Sequence, residues 1–146
     1  MESQLNSSPE KKKIKLNFKD SKYATGRRKK SIARVWLKKG SGNFHINGKK
    51  MNDYFKKIIL QIAILRPLTI VNRENEYDVR CTVKGGGLSG QAGAISHGLI
   101  RAIVEYEPDL KPTLKKEKLT TRDSRSVERK KYGHRKARRS FQFSKR

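Results

Sequence analysis

Tyr77-Asp78-Val79-Arg80-Cys81-Thr82-Val83-Lys84, running directly into Gly85-Gly86-Gly87-Leu88-Ser89-Gly90-Gln91-Ala92-Gly93, is the stretch from which the fold can be read. Its first half alternates. Tyr77, Val79, Cys81 and Val83 share one side, and Asp78, Arg80 and Thr82 share the other, as in a half-buried strand. The glycines then mark a tight turn that tolerates positive φ. Beyond them Leu88, Ala92, Ile95, Leu99, Ala102 and Tyr106 step by three and four, the spacing of one helix face. Pro108 closes that helix. A strand, a glycine turn and a helix that folds back onto the strand make a layered α and β unit.

The upstream sequence extends this unit. Ser31 to Leu37 reads as a strand with Ala33, Val35 and Leu37 inward. Gly40-Ser41-Gly42-Asn43 reads as a turn, and Phe44 and Ile46 begin a second strand, so the two are expected to form a hairpin. Asn47-Gly48 makes another turn. Asn52 to Leu65 is expected to be helical, offering Ile58, Ile59, Ile62 and Leu65 to the core, with Pro67 ending it and Leu68 to Val71 a short strand. The order β-β-α-β-β-α predicts an α+β fold, an α/β sandwich with helices packed on a sheet.

The charge is zoned. The chain carries 37 Lys and Arg against 13 Asp and Glu, a formal net charge of +24, with only 34% hydrophobic residues. Residues 22–50 hold ten basic and no acidic side chains, residues 51–110 hold seven of each, and residues 118–146 hold twelve basic and two acidic. A neutral, core-forming middle is thus flanked by two basic segments. Such a charge repels itself in isolation and is relieved by a polyanion, whose counterions it displaces. After Leu119 apolar periodicity stops. Only Val127, Tyr132, Phe141 and Phe143 interrupt the basic run, too little to offset chain entropy, so this segment is expected to be extended and to order on a partner. The expected division is an N-terminal extension over 1–21, a globular α/β domain over 22–117 that meets the polyanion and a basic tail over 118–146. The longest apolar-rich run, Ile58 to Leu65, is far shorter than the roughly 20 residues of a spanning helix. Met1 to Glu10 is polar, with no apolar signal core.

Several motifs invite an enzymatic reading. Gly85, Gly87 and Gly90 spell the glycine spacing of a dinucleotide fingerprint. That motif requires a second parallel strand ending in an acid about 20 residues on, whereas Glu105, Glu107 and Asp109 here end a helix. The glycines instead leave backbone N–H groups open at a helix N-terminus, a place that attracts phosphate. Gly42 to Lys50 fails as a phosphate-binding loop, with five residues between its glycines where four are needed and Lys50 in place of the magnesium-holding hydroxyl. His45, His97 and His134 are scattered, without metal-ligand spacing. A single cysteine, Cys81, excludes a disulfide framework. Glu74/Glu76 and Glu105/Glu107 are spaced so that, on a helix, they would not face each other. No cofactor and no small-molecule substrate is expected.

The basic residues have the chemistry for RNA. Candidates are Arg27, Arg28, Lys29, Lys30 and Arg34 near the first strand, and Lys84, Gly86, Gly87, Ser89 and Gln91 at the glycine turn. In the tail they are Arg122, Arg125, Arg129, Lys130, Lys131, Arg135, Lys136, Arg138 and Arg139. Arginine grips a phosphate through two parallel hydrogen bonds or stacks on a base, while lysine acts as a point charge. Tyr132, Phe141 and Phe143 either stack on unpaired bases or pack on the protein's own surface. Charge alone does not separate RNA from DNA, so a free architectural nucleic-acid binder is the alternative.

Tyr23-Ala24-Thr25-Gly26-Arg27-Arg28-Lys29-Lys30-Ser31-Ile32-Ala33-Arg34-Val35, Ile46-Asn47-Gly48, the run from Gly85 to Ile95, Leu119-Thr120-Thr121-Arg122-Asp123, Glu128-Arg129-Lys130-Lys131-Tyr132-Gly133, Lys136-Ala137-Arg138 and Ser144-Lys145-Arg146 occur in that order. The series, from about Tyr23 to Arg146, closely resembles the family of ribosomal protein S nine of the small subunit, in its bacterial and organellar branch. The resemblance implies a domain-two-like β-α-β core with a long extended tail. It implies a non-enzymatic place in the head of the small subunit, on ribosomal RNA and beside other head proteins. It also implies that the tail runs toward the peptidyl-site tRNA, with Ser144, Lys145 and Arg146 near the anticodon stem-loop. Ser124-Arg125-Ser126 departs from the common Asp-Pro-Arg. Lysine exceeds arginine, 23 to 14, as expected of an AT-rich gene. A plastid ribosome is the favoured setting and a bacterial cytoplasm the alternative.

Overall fold

The structure, a computed structural model, describes residues 18–144. Most of the extension expected over 1–21, and the tail-tip residues Lys145 and Arg146, lie outside the described residues.

Five strands, β1 (Lys22–Arg28), β2 (Ser31–Lys39), β3 (Phe44–Ile46), β4 (Lys49–Lys50) and β5 (Tyr77–Lys84), form one sheet in the order β1-β2-β5-β3-β4. Strands β1 and β2 pair as an antiparallel hairpin across Lys29-Lys30, with Lys29 taking the left-handed turn at φ 51°. Strand β5 runs antiparallel to β2, and β3 runs parallel to β5. The short β4 closes the far edge against β3. Between β4 and β5 lie α1 (Met51–Tyr54) and α2 (Ile58–Ile70). The path β3–α–β5 is the parallel crossover of a β-α-β unit. Helix α3 (Leu88–Tyr106) then lies across β1 and β2, with α2 beside it, and a 3₁₀ turn at Pro108–Leu110 leads into α4 (Lys111–Lys116).

The strand and helix read around the glycine turn both form. Tyr77, Val79, Cys81 and Val83 are buried, as are Ala92, Ile95, Leu99 and Ala102. Burying each large apolar side chain contributes about 1.5–3 kcal/mol, and these rows join Ala33, Val35 and Leu37 in one core. Leu88, at the first turn of α3, stays half exposed. Strand β1 lies against the backbone of α3. A Cβ on Gly26 would overlap Ala94 O and Gly98 N, so only glycine lets the strand lie against the helix here.

Three expectations are corrected. Phe44 and Ile46 do not form a hairpin with Ser31–Leu37, because β5 lies between β2 and β3. The Gly40–Asn43 segment crosses the end of β5 instead of doubling back. The Asp78 carboxylate accepts from Ser41 N at 3.0 Å and Asn43 N at 2.8 Å and draws the loop over. Second, β1 was not expected, and Arg27 to Lys30 form the end of a strand and its turn instead of preceding the first strand. Third, the helix expected over Asn52 to Leu65 is two helices, and the second runs through Pro67 to Ile70, so Leu68 to Val71 is no strand. Its end is built from backbone hydrogen bonds. Asn72 N donates to Thr69 O, Arg73 N donates to Leu68 O, and Asn72 is left-handed at φ 53°, a Schellman cap. Helix α2 is apolar almost all round, so its periodicity chooses no face. Ile64, Pro67 and Leu68 turn inward, whereas Ile58, Ile59 and Ile62 are 69%, 79% and 61% exposed.

Candidate nucleic-acid interface

The β2–β5 pairing brings the two basic and glycine-rich motifs together. Ile32 sits opposite Lys84, so the β1–β2 turn and the turn after β5 meet at one end of the sheet. Ser31 is buried there and donates its hydroxyl to Gly85 O at 3.0 Å. Gly85 and Gly86 are left-handed, at φ 75° and 62°, and a Cβ on Gly86 would overlap the Ser31 hydroxyl. Gly87 caps α3 with no side-chain hydrogen bond, and no acidic residue stands in the first turn of the helix. Leu88, Ser89 and Gly90 therefore present backbone N–H groups at the positive end of a 19-residue helix. Lys29, Lys30, Lys84 and Ser89 are exposed around this point. Gln91 is less available, because its amide donates to Gly85 O at 3.1 Å and accepts from the Tyr54 hydroxyl at 2.9 Å.

The four basic residues 27–30 separate into roles. Arg27 is exposed, opposite Ile32 in register. Arg28 lies on the other side of β1, where a Cβ on Gly93 would overlap its stem, and pairs with Asp123 at 2.9 Å. Asp123 also accepts from Arg125, through the guanidinium at 2.8 Å and the backbone N–H at 3.0 Å. Those hydrogen bonds from Arg125, aided by Arg28, hold the Asp123 carboxyl far below the usual carboxylate range. A depressed carboxyl keeps its pairing above the ordinary carboxylate pKa and loses it only as pH falls through the lowered value. The tail is thereby fastened to the end of β1.

Its start is fixed as well. Lys118 is left-handed at φ 55°, Lys118 N donates to Lys115 O, and Leu119 N donates to Leu114 O, a second Schellman cap at the end of α4. From there the chain passes a groove between α2 and α3 lined by Ile59, Ile62, His97, Ile100 and Leu119. His97 is half-buried, and burial, with Arg101 and Arg122 nearby, lowers its pKa, which favours the neutral ring. Beyond Asp123 there is no helix or strand through Ser144, only an isolated bridge between His134 and Ser140. Glu128 accepts two hydrogen bonds from Arg138, at 3.0 and 2.6 Å. Arg129 lies over the Tyr132 ring and Arg135 over the Phe141 ring. Among the described residues Arg122, Arg129, Lys130, Lys131, Arg135, Lys136 and Arg139 are exposed and form no ion pair with an acid. Tyr132 and Phe143 are 92% and 86% exposed, so neither packs on the domain surface.

The reading of single motifs missed one group. Arg34 was expected as an RNA contact, but its neighbours Tyr23, Trp36 and Arg80 were not. Recognising β1 as a strand would have placed all four on the same side of the sheet. Cys81 is buried, and burial pushes its thiol up to about 12, so it is no nucleophile. Among the described residues no cluster of His, Cys, Asp or Glu has the makings of a metal site, and no helix is long and apolar enough to cross a membrane.

An α+β domain with unpaired basic groups gathered at one end of its sheet, continued by a basic tail, fits the sequence comparison. Residues 26–146 match the model of the ribosomal protein S9/S16 family. The chain belongs to that family. A member of the S9/S16 family is a structural, non-enzymatic component of the small ribosomal subunit and binds ribosomal RNA. Its setting is the ribosome, among other ribosomal proteins.

Proposed function

We propose that this chain occupies the head of the small subunit, holding ribosomal RNA with the end of its sheet and reaching toward the peptidyl-site tRNA with its tail. The exposed, unpaired cations of the tail carry the reading. A segment with this many free guanidinium and ammonium groups, and aromatic rings turned away from its own domain, is built to lie in a polyanionic channel.

In this reading residues 1–21 are an extension, 22–117 dock on the RNA and 118–146 thread inward. Arg27, Lys29, Lys30 and Lys84 meet backbone phosphates, and the open N–H groups around Gly86, Gly87 and Ser89 donate to one more. Gln91 supports that turn from within. Arg122, Arg129, Lys130, Lys131, Arg135, Lys136 and Arg139 follow the RNA backbone, while Arg125 and Arg138 shape the tail through Asp123 and Glu128. Ser144, Lys145 and Arg146 contact the anticodon stem-loop without reading its sequence, which suits a site that every elongator tRNA passes. The lysine-rich composition supports a plastid ribosome, and neighbouring head proteins complete the site.

Two measurements test this. After a high-salt wash and gradient sedimentation, the chain is expected in about stoichiometric amount with the small subunit. Release to the top of the gradient would sink the reading. Deleting Ser144 to Arg146 is expected to spare subunit assembly and weaken tRNA retention at the peptidyl site. Loss of assembly from that deletion alone would remove the specialised tail tip.

A further inference from the structure

The side of the sheet away from the helices carries a pattern of its own. Cross-strand register puts Tyr23, Trp36, Arg80 and His45 in a single row over β1, β2, β5 and β3. Arg34 stands one position along β2 on the same side, opposite Thr25 and Thr82. The Tyr23 and Trp36 rings lie 5.3 Å apart, tilted by 44°. The Arg34 guanidinium sits 5.1 Å from the Trp36 ring centre and 5.6 Å from that of Tyr23, and donates from Nε to the Tyr23 hydroxyl at 3.2 Å. Arg80 approaches Trp36 from the neighbouring strand, at 5.8 Å.

Such pairs gain something from cation–π attraction alone, and a solvated antiparallel face is ordinary. Charge makes this one unusual. Among the five strands the only acid is Asp78, and its carboxylate is engaged by the amides of Ser41 and Asn43. Among the described residues neither Arg34 nor Arg80 has an acidic partner. Two guanidiniums thus lie over aromatic rings with most of their N–H donors unpaired among the described residues. Tyr23 remains 41% exposed beside them.

We propose that this face binds an unpaired stretch of the small-subunit ribosomal RNA, with a base stacked on the Tyr23–Trp36 pair and its flanking phosphates held by Arg34 and Arg80. The proposal rests on the ribosomal RNA reading above and adds a second contact, on the opposite side of β1 from the Arg28–Asp123 anchor. Aromatic rings on an open sheet suit single-stranded RNA because every base offers a π-face, and guanidiniums beside them supply the phosphate contacts. A protein partner would have to bring its own acidic patch to the same place, whereas one nucleotide strand provides both stacking and negative charge.

The test uses the full chain reconstituted into small subunits that lack it. Trp36→Leu keeps an apolar side chain over the sheet and removes the stacking platform. In competition with wild type it is expected to be incorporated about 30-fold less well, the middle of the range for losing one base–aromatic stack. One or two RNA bases should gain chemical reactivity in the particles that form, and Trp36→Phe should restore most of their protection. Tyr23→Leu provides the same readout should Trp36→Leu fold poorly, as judged by its thermal melt. A photo-reactive phenylalanine analogue at position 36 should cross-link to RNA. Equal incorporation of Trp36→Leu with no base exposed overturns the proposal and leaves the ribosomal assignment standing. Cross-linking of position 36 to a protein overturns it in favour of a protein neighbour. Failure of the wild-type chain to enter the particle removes both.

Discussion

Neutralising the turn at the end of the sheet gives the sharpest quantitative prediction. Of the four adjacent cations, Arg28 is engaged by Asp123 at 2.9 Å, whereas Arg27, Lys29 and Lys30 have no acidic partner among the described residues. The triple variant Arg27→Gln, Lys29→Gln, Lys30→Gln should therefore remove up to three phosphate contacts, and Arg28→Gln should remove mainly a tail anchor. Each neutralised phosphate contributes about 0.9 to the slope of log affinity against log salt on a duplex and about 0.7 on a single strand, so the triple variant should lower the slope by about 2–3. Between about 50 and 200 mM salt, wild type should then lose about 20- to 40-fold more affinity than the variant. The assay is binding of full-length chain to small-subunit RNA particles over a salt series, with circular dichroism to confirm folding. A folded triple variant whose slope differs from wild type by less than about one would mean that these side chains face solvent in the complex, and the proposed docking surface would be wrong.

Other expectations concern the fold that positions this surface. Gly26→Ala presses a methyl group against the backbone of α3, which no rotamer change relieves. It should destabilise the domain by about 3 kcal/mol, at the upper end for overpacking, seen as a clear fall in Tm, while Gly87→Ala, with open space around it, should cost only the weaker helix cap, about 0.5–1 kcal/mol. Lys118→Gly relieves a left-handed lysine at the α4 cap and should stabilise by about 1 kcal/mol in denaturant melts. A loss of stability would mean that the lysine stem packs on something. The Cys81 thiol should resist alkylation in the native chain and react only on unfolding, and modification at a native rate would contradict its burial.

What the sequence revealed depended on how strongly each segment's own pattern outweighed its surroundings. Strand β5 and helix α3 were legible because alternation and helical spacing each defined one face. Strand β1 was not, because its inward positions are Ala24 and Gly26. Small residues chosen for a close helix contact carry no apolar signal. The supposed β2–β3 hairpin had the right turn chemistry, but Asp78, distant in sequence, drew the loop across β5. Helix α2 misled because an all-apolar helix has no preferred side, and the inward row became Ile64 and Leu68 instead of the isoleucines before them. The binding residues show the same division. The cations were visible as charge runs, but their meeting with the glycine turn depends on the Ile32–Lys84 register, and the Tyr23–Trp36–Arg80 row depends on three strands at once. The Arg28–Asp123 anchor, joining two predicted RNA-binding segments to each other, could not be read from either alone.

Ultraviolet cross-linking of native small subunits, with the cross-linked peptides sequenced by mass spectrometry, tests the assignment of surfaces most directly. RNA adducts are expected on the β1–β2 turn, on the Gly85–Gln91 segment and along the tail beyond Thr121. Adducts confined to the α2 surface around Ile58, Ile59 and Ile62, with the basic turn and tail unmodified, would contradict that assignment.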